Sequence, residues 1–149
     1  MEGSGKSDSQ IKDVESRIDT IVLSTYSVIL SIPGISTLEA GMILGEIGDI
    51  HRFSQPHKLL AFAGLDPSVK QSGNFCASHK RMSKRGSRYL RYALMYAAHN
   101  AVKNNDTFKQ LYDKKRANNL GHYSALGHCA GKLVRIIHKM LTDDVVFNL

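Results

Sequence analysis

A polar stretch near the middle of the chain contains the residues best suited to covalent chemistry. Ser72 stands beside Gly73, and a serine next to glycine in a loop can expose its hydroxyl as a nucleophile. Cations on both sides could hold a phosphodiester and offset the charge of its transition state. These cations are Lys70, Lys80, Arg81, Lys84, Arg85, Arg88 and Arg91. Loop serines often only close turns, so the spacing alone also allows a structural role.

The charge distribution indicates a polyanionic partner. The net charge is +7, but residues 1–50 hold three basic and eight acidic residues, whereas residues 51–149 hold 17 basic and five acidic ones. No Asp or Glu occurs between Asp66 and Asp106. A merely solvated surface usually mixes both signs to limit self-repulsion. The one-signed region therefore favours nucleic acid as a binding partner.

A second candidate for phosphate contacts is the Pro-Gly break between two helical patterns at Ile32-Pro33-Gly34-Ile35. A helix-hairpin-helix presents free backbone N–H groups to a phosphate without reading the bases. Gly34 and Ser36 would make these contacts, although Ser36 stands where such hairpins usually have a second glycine and hinders the closest approach. A plain helical hairpin used for packing is an alternative of equal weight.

The elements that must position these residues are mainly helical. The chain has 149 residues, of which 42% are hydrophobic and 22% charged, as expected of one globular domain. We predict a disordered start or a cloning remnant at residues 1–9, a coiled-coil-like helix at 10–30 and a compact helical domain at 31–149. The helix is predicted from an apolar stripe with three-then-four spacing, which comprises Ile11, Val14, Ile18, Ile21, Thr25 and Val28. Residues 69–78 show no helical period and predict an irregular loop or a small β-hairpin.

Cysteine and histidine spacing gives only a weak indication of a metal site. Cys76 and His79 are three residues apart, and His122, His128 and Cys129 follow later, but no compact zinc finger has this spacing. Cys129 also falls on the apolar face of the last predicted helix. We therefore predict a core cysteine and no metal site in this chain. The two cysteines and the lack of a long apolar run indicate a cytoplasmic protein without a membrane partner.

Three tyrosines accompany the arginines of the basic region. Tyr89, Tyr92 and Tyr96 are spaced three and four residues apart, as on one side of a helix. Such rings can stack on bases or sugars. Aromatic packing within the protein is their more common use.

Several motifs, taken together and in order, resemble a known family. They are Ile32-Pro33-Gly34-Ile35, Arg52-Phe53, Ala63-Gly64-Leu65-Asp66-Pro67, Gln71-Ser72-Gly73, Ser83-Lys84-Arg85-Gly86 and Leu90-Arg91. From about Ile18 to Phe147 the chain resembles the C-terminal domain of the DEDD-type insertion-sequence transposases, also known as bridge-RNA-guided DNA recombinases. By this motif match Ser72 is the serine nucleophile.

The resemblance implies a reaction and a set of partners. Strands are cleaved through a covalent phosphoserine, exchanged and rejoined, guided by a structured noncoding RNA that pairs with donor and target DNA. An N-terminal resolvase-like domain supplies metal-binding carboxylates, and magnesium is expected there. Too few residues precede Ser31 for that domain, so we expect an excised domain or truncated gene product that is inactive alone. A homo-oligomer through the N-terminal helix and a prokaryotic, nucleoid-associated location complete these expectations.

Two hypotheses from other classes stand beside the enzymatic one. The chain could be a non-catalytic module that binds nucleic acid and dimerises, using only the hairpin and the basic region. It could also be a helical oligomerisation domain whose basic face keeps it soluble. The first predicts binding with a steep salt dependence, and the second predicts no binding at physiological salt.

Overall fold

The computed structural model describes residues 3–24, 28–67, 71–72, 75–76 and 82–149. Its helices are α1 (Gly3–Ser24), α2 (Thr37–Ile47), α3 (Pro56–Phe62), α4 (Arg88–Asn104), α5 (Asp106–Ala117) and α6 (His122–Asp143). Two 3-10 helices cover Val28–Ser31 and Ile50–Arg52, and the antiparallel strands β1 (Gln71–Ser72) and β2 (Phe75–Cys76) form a hairpin. The predicted mainly α fold is confirmed. None of the helices in the described ranges has the length and apolar character needed to cross a membrane.

The core lies where α4 and α6 pack against each other. Helix α4 buries Ala93, Ala97 and Ala101, whose small side chains allow a neighbouring helix to approach closely. Helix α6 buries a continuous apolar stripe that includes Leu133 and Ile137. Helices α3 and α5 contact α6, and α2 contacts α4. The two central helices therefore form the frame to which the other elements attach.

Helix α1 differs from the predicted N-terminal organisation at both ends. It begins at Gly3, so residues 3–9, expected to be a disordered start, are helical. It ends at Ser24, and Val28, the last member of the predicted stripe, is buried in the first 3-10 helix instead. The helix contacts α2, but residues 5–17 are exposed. Two residues of the apolar stripe, Ile11 and Val14, are 53% and 54% exposed.

Cys129 is a core residue of α6. Its side chain is fully buried, and this burial raises the pKa of the thiol to about 11. The nearby charge of Lys132 acts in the opposite direction but is the smaller cause. The thiolate is the form that reacts and binds metals. Cys129 is therefore a protonated packing residue at neutral pH.

We predict that Cys129 reacts with thiol reagents only when the chain unfolds. In a Cys76→Ser variant it is the single thiol, so labelling should proceed at the rate of global opening and become fast in denaturant. Rapid labelling of the folded protein would contradict the burial of Cys129.

A pH dependence follows from the same thiol. In the unfolded chain it titrates with the ordinary value of 9.0, below that of the folded state. The unfolded state therefore loses its proton first, and folding stability falls as the pH rises from 9.0 towards about 11. Thermal melts over this range should show a steeper decline for the Cys76→Ser variant than for the same variant with Cys129→Ala.

Candidate nucleic-acid interface

Two chain segments, residues 62–67 and 82–87, are joined by backbone hydrogen bonds, and together we call them the anchor. The N–H groups of Ser83, Lys84 and Ser87 donate to the carbonyls of Asp66, Gly64 and Phe62, at 2.8, 3.0 and 2.7 Å. An isolated antiparallel bridge pairs Pro67 with Met82. The anchor therefore brings together the two ends of the intervening segment, residues 68–81, which contains Ser72.

Two glycines allow the segments of the anchor to approach this closely. Gly64 and Gly86 have φ angles of +68° and +92°, in the left-handed region that disfavours other residues. A Cβ atom at Gly64 would collide with the carbonyl oxygen of Arg85. At Gly86 it would collide with the carbonyl oxygen of Phe62. Both glycines belong to the motifs quoted above, and their role there is a backbone contact.

A side-chain contact closes the anchor next to the Ser72 segment. The hydroxyl of Ser83 donates to Oδ1 of Asp66 at 2.5 Å and accepts from the N–H of Arg85 at 3.4 Å. Ser87 at the other end caps α4, accepting from the N–H of Leu90 at 3.1 Å. The same hydroxyl donates to the Glu46 carboxylate of α2 at 2.8 Å. The anchor is thus fixed to two helices of the core.

Ser72 lies in strand β1, and its backbone is paired with Phe75 of β2. Ser72 therefore belongs to the pair of short strands that lies, in sequence, between the two segments of the anchor. Of the predicted cations, Lys70, Lys80 and Arg81 lie outside the described residues. The roles assigned to all four residues stay predictions.

The other predicted cations lie together at the junction of the anchor and α4. Lys84, Arg85 and Arg88 are exposed, and Arg91 is half-buried with its guanidinium 3.5 Å from the carbonyl oxygen of Ala63. The Arg88 guanidinium lies over the ring of Tyr89, 5.1 Å from its centroid. Within the described ranges none of the four cations forms an ion pair with a carboxylate. We call these four residues the basic cluster.

The predicted hairpin residues lie at the opposite end of α4. A Cβ atom at Gly34, which has a φ of +83°, would lie 3.0 Å from the backbone oxygen of Asn100. Ser36 caps α2, since its hydroxyl accepts from the N–H of Glu39 and its own N–H donates to the Glu39 carboxylate. Packing and capping account for both residues, and phosphate binding by them stays a prediction. At 1.5 Å per helical residue, Asn100 is about 18 Å from Arg88, so the hairpin and the basic cluster do not form one site.

Arg52 has a structural role that sequence reasoning missed. Its Nε donates to the Ile47 carbonyl at 2.8 Å and its Nη2 to the Glu46 carbonyl at 2.9 Å, which caps the C-terminus of α2. Its guanidinium also lies 4.8 and 4.9 Å from the ring centroids of Phe53 and Phe62. The Arg-Phe pair three residues after a helix-ending Gly-Asp was the available signal. This motif of the resemblance therefore serves the fold.

Metal-ligating side chains do not cluster in the described part of the chain. No three of its His, Cys, Asp or Glu side chains are placed to hold one ion. Of the residues considered for zinc, Cys129 is in the core, and His79 lies outside the described residues. Tyr112 contacts His122, with a 2.5 Å separation between the hydroxyl and Nδ1, which accounts for that histidine without a metal.

Comparison with known proteins identifies the family of this chain. The model of the transposase IS116/IS110/IS902 family matches residues 26–113. This range includes Gly34 and Ser36, the anchor, Ser72 and all of α4. The chain belongs to this family. The match confirms the resemblance seen in the sequence motifs.

Curated relatives in the IS110 group cover most of this chain. The transposase for insertion sequence element IS1111A of Coxiella burnetii is 33% identical over 95% of this chain and 40% of its own length. The IS110 43.6 kDa protein of Streptomyces coelicolor and the IS900 42 kDa protein of Mycobacterium paratuberculosis are each 29% identical over 81% of this chain and 30% of their own length. The chain thus spans well under half the length of these relatives.

The anchor gives a prediction about stability. Gly86→Ala should lower the free energy of unfolding by more than about 1 kcal/mol, because the new methyl group meets a backbone oxygen at a positive φ. Gly45→Ala is the matched control, since Gly45 lies in α2 with open space beside it and alanine is the better helix former by about 1 kcal/mol. Denaturant unfolding of both variants measures the difference. Equal stability of the two variants would contradict the close approach at Gly86.

Proposed function

We propose that this chain is the serine-bearing, nucleic-acid-binding domain of an insertion-sequence transposase and acts in DNA strand cleavage and exchange during transposition. The observation that carries the proposal is the anchor. It joins the chain on both sides of residues 68–81, the segment that contains Ser72, and it includes Lys84 and Arg85 of the basic cluster. The cations of this cluster have no carboxylate partner in the described ranges. Family membership supports the same function.

The basic cluster supplies the electrostatics that phosphodiester chemistry requires. Lys84, Arg85 and Arg88 are exposed and unneutralised by described residues, so they are available to phosphate oxygens. Arginine contacts phosphate in a bidentate manner, which adds orientation to attraction. Cations at a phosphoryl group also stabilise the negative charge that develops in the transition state.

Ser72 is the proposed nucleophile of this reaction. Its hydroxyl oxygen forms a bond to phosphorus, the bond from phosphorus to a deoxyribose oxygen breaks, and the leaving oxygen takes up a proton. The product is a phosphoserine ester that conserves the energy of the broken bond. Attack on this ester by a strand hydroxyl releases Ser72 and rejoins the DNA.

Other parts of the proposal concern groups outside this chain. We place the expected magnesium in a resolvase-like domain of the full-length protein, as the family resemblance implies. DNA and a structured guide RNA are the proposed nucleic-acid partners, in the prokaryotic cytoplasm near the nucleoid. The exposed Ile11 and Val14 of α1 support self-association through that helix.

A second candidate function is a non-catalytic module that binds nucleic acid and dimerises. The exposed apolar residues of α1 and the unneutralised basic cluster support it equally well. The two candidates differ only in what Ser72 does.

The first experiment measures nucleic-acid binding as a function of salt. The affinity of this chain for duplex DNA and for structured RNA should fall steeply with salt concentration. Arg85→Ala/Arg88→Ala should reduce the slope of log affinity against log salt by about two, or about one for each phosphate contact removed. Lys109→Ala/Lys114→Ala, which removes two exposed cations from α5, is the control of equal charge. Equal slopes for the two double variants would contradict a phosphate-binding role of the basic cluster.

The second experiment tests the chemistry in a full-length transposase that contains this domain. Ser72→Ala should abolish recombination and the covalent protein–DNA adduct, while DNA affinity changes by less than about twofold because no charge is removed. Ser124→Ala, at an exposed position in α6, should leave recombination intact. Recombination by the Ser72→Ala protein would favour the non-catalytic module.

A further inference from the structure

Helix α4 presents three exposed tyrosines to solvent, Tyr89, Tyr92 and Tyr96, and the last two form a pair. Tyr92 and Tyr96 are one turn apart and are 64% and 51% exposed. Their ring centroids are 6.2 Å apart and the ring planes differ by 25°. The intervening Ala93 is buried in the core, so the tyrosines lie on the outer side of the helix. We call these two residues the tyrosine ridge.

Open grooves lie on both sides of the tyrosine ridge, and both tyrosines line each of them. The groove between α4 and α6 measures about 500 Å³, and Tyr123, 53% exposed, forms part of its far wall. The groove between α4 and α2 measures about 430 Å³ and is lined on the far side by Leu38 and Met42. The two rings are therefore next to open space on both sides of α4.

The charge of the first groove favours an anionic occupant. Arg88 and Arg91 line this groove, and no carboxylate among the residues that the structure describes does. The second groove contains Glu39, but this side chain is 6% exposed and both of its oxygens accept hydrogen bonds, from Asn100 and from the backbone of Ser36. A ligand in either groove would thus contact aromatic and apolar side chains. In the groove between α4 and α6 it would also meet the cations Arg88 and Arg91.

We propose that the tyrosine ridge binds unpaired nucleotides of DNA or RNA, with bases stacked on Tyr92 and Tyr96 and the backbone phosphates held by Arg88 and Arg91. Stacking on a side chain needs a free base face, which a single strand offers and a continuous duplex covers. The inference rests on the proposed nucleic-acid-binding function and adds the strandedness of the ligand.

The position of the ridge links the two ends of α4. Arg91 lies next to Ala63 of the anchor, about 1.5 Å of helix rise from Tyr92. At the other end of the ridge is Asn100, whose side-chain amide donates a hydrogen bond to Glu39 of α2. A single strand of nucleic acid lying along α4 would therefore extend from the first turn of α2 to the anchor.

The test compares single-stranded, abasic and duplex oligonucleotides of equal length, each with a fluorescent label, by anisotropy. Tyr92→Ala/Tyr96→Ala should weaken binding of single strands by about tenfold or more, because stacking contributes strongly for each base. Duplex and abasic strands should change by less than about twofold, because the phosphate contacts remain. Tyr92→Phe/Tyr96→Phe keeps the rings and should bind single strands as the unmodified chain does.

A second readout reports stacking directly. The chain has no Trp and six Tyr, so its intrinsic fluorescence comes from tyrosine, and stacked bases should quench it. Quenching by single strands should be largely lost in Tyr92→Ala/Tyr96→Ala at saturating oligonucleotide. Quenching that persists there would overturn the assignment of the ridge.

The outcomes separate this inference from the proposed function. If the chain binds duplex and single strands and the alanine variant loses neither, the ridge proposal is overturned and the basic cluster stands. If the alanine variant loses only self-association in sedimentation, the ridge is a protein interface and the proposal is also overturned. Absence of binding to any oligonucleotide at low salt overturns both. Circular dichroism checks that the variants are folded.

Discussion

The close backbone contact between residues 62–67 and 82–87 is the interaction on which the rest of the candidate site depends. Carbonyl oxygens of Phe62 and Arg85 occupy the space that side chains would fill at Gly86 and Gly64. Because both positions lack a Cβ, backbone N–H groups of residues 82–87 can donate hydrogen bonds to carbonyl oxygens of residues 62–67. This contact fixes the chain on both sides of residues 68–81 and sets where α4 begins. It also places the cations of the basic cluster, since Lys84 and Arg85 lie within it and Arg88 and Arg91 lie in the first turn of α4.

Helix α4 connects the anchor to the other helices of the domain. Its N-cap, Ser87, is bound to Glu46 of α2, and further along Asn100 is bound to Glu39 of the same helix. Its inner side is lined with alanines packed on α6, while its outer side has arginine and tyrosine. One helix therefore combines an inner surface suited to close helix packing with an outer surface suited to a polyanion.

The sequence predicted the architecture better than the details of the site. The apolar face of the last predicted helix, with Cys129 on it, corresponds to the buried side of α6, because a regular apolar stripe must face a core. The helical structure of residues 3–9 was not predicted, because these residues have no apolar period. They form the first turns of α1, which continues to Ser24.

Long-range contacts explain the rest of what sequence reasoning missed. The pairing of Asp66 with Ser83 joins residues 17 positions apart with no periodic relation, so no local pattern reveals it. The tyrosines of α4 have the spacing of a packed face, and only the position of the neighbouring helices shows that Tyr92 and Tyr96 are exposed. Ser72 was identified by chemistry and resemblance, which do not depend on packing.

The hydrogen bonds of the anchor do not depend on the sequence of the segment that they close. These hydrogen bonds are made outside residues 68–81, so the closing contacts do not require a particular sequence there. Lengthening a closed loop costs chain entropy only slowly, about 0.6 kcal/mol for each doubling. Insertions between Pro67 and Met82 therefore add little to the entropic cost of closing the anchor. The length of the segment that bears the proposed nucleophile can change while the closing hydrogen bonds stay the same.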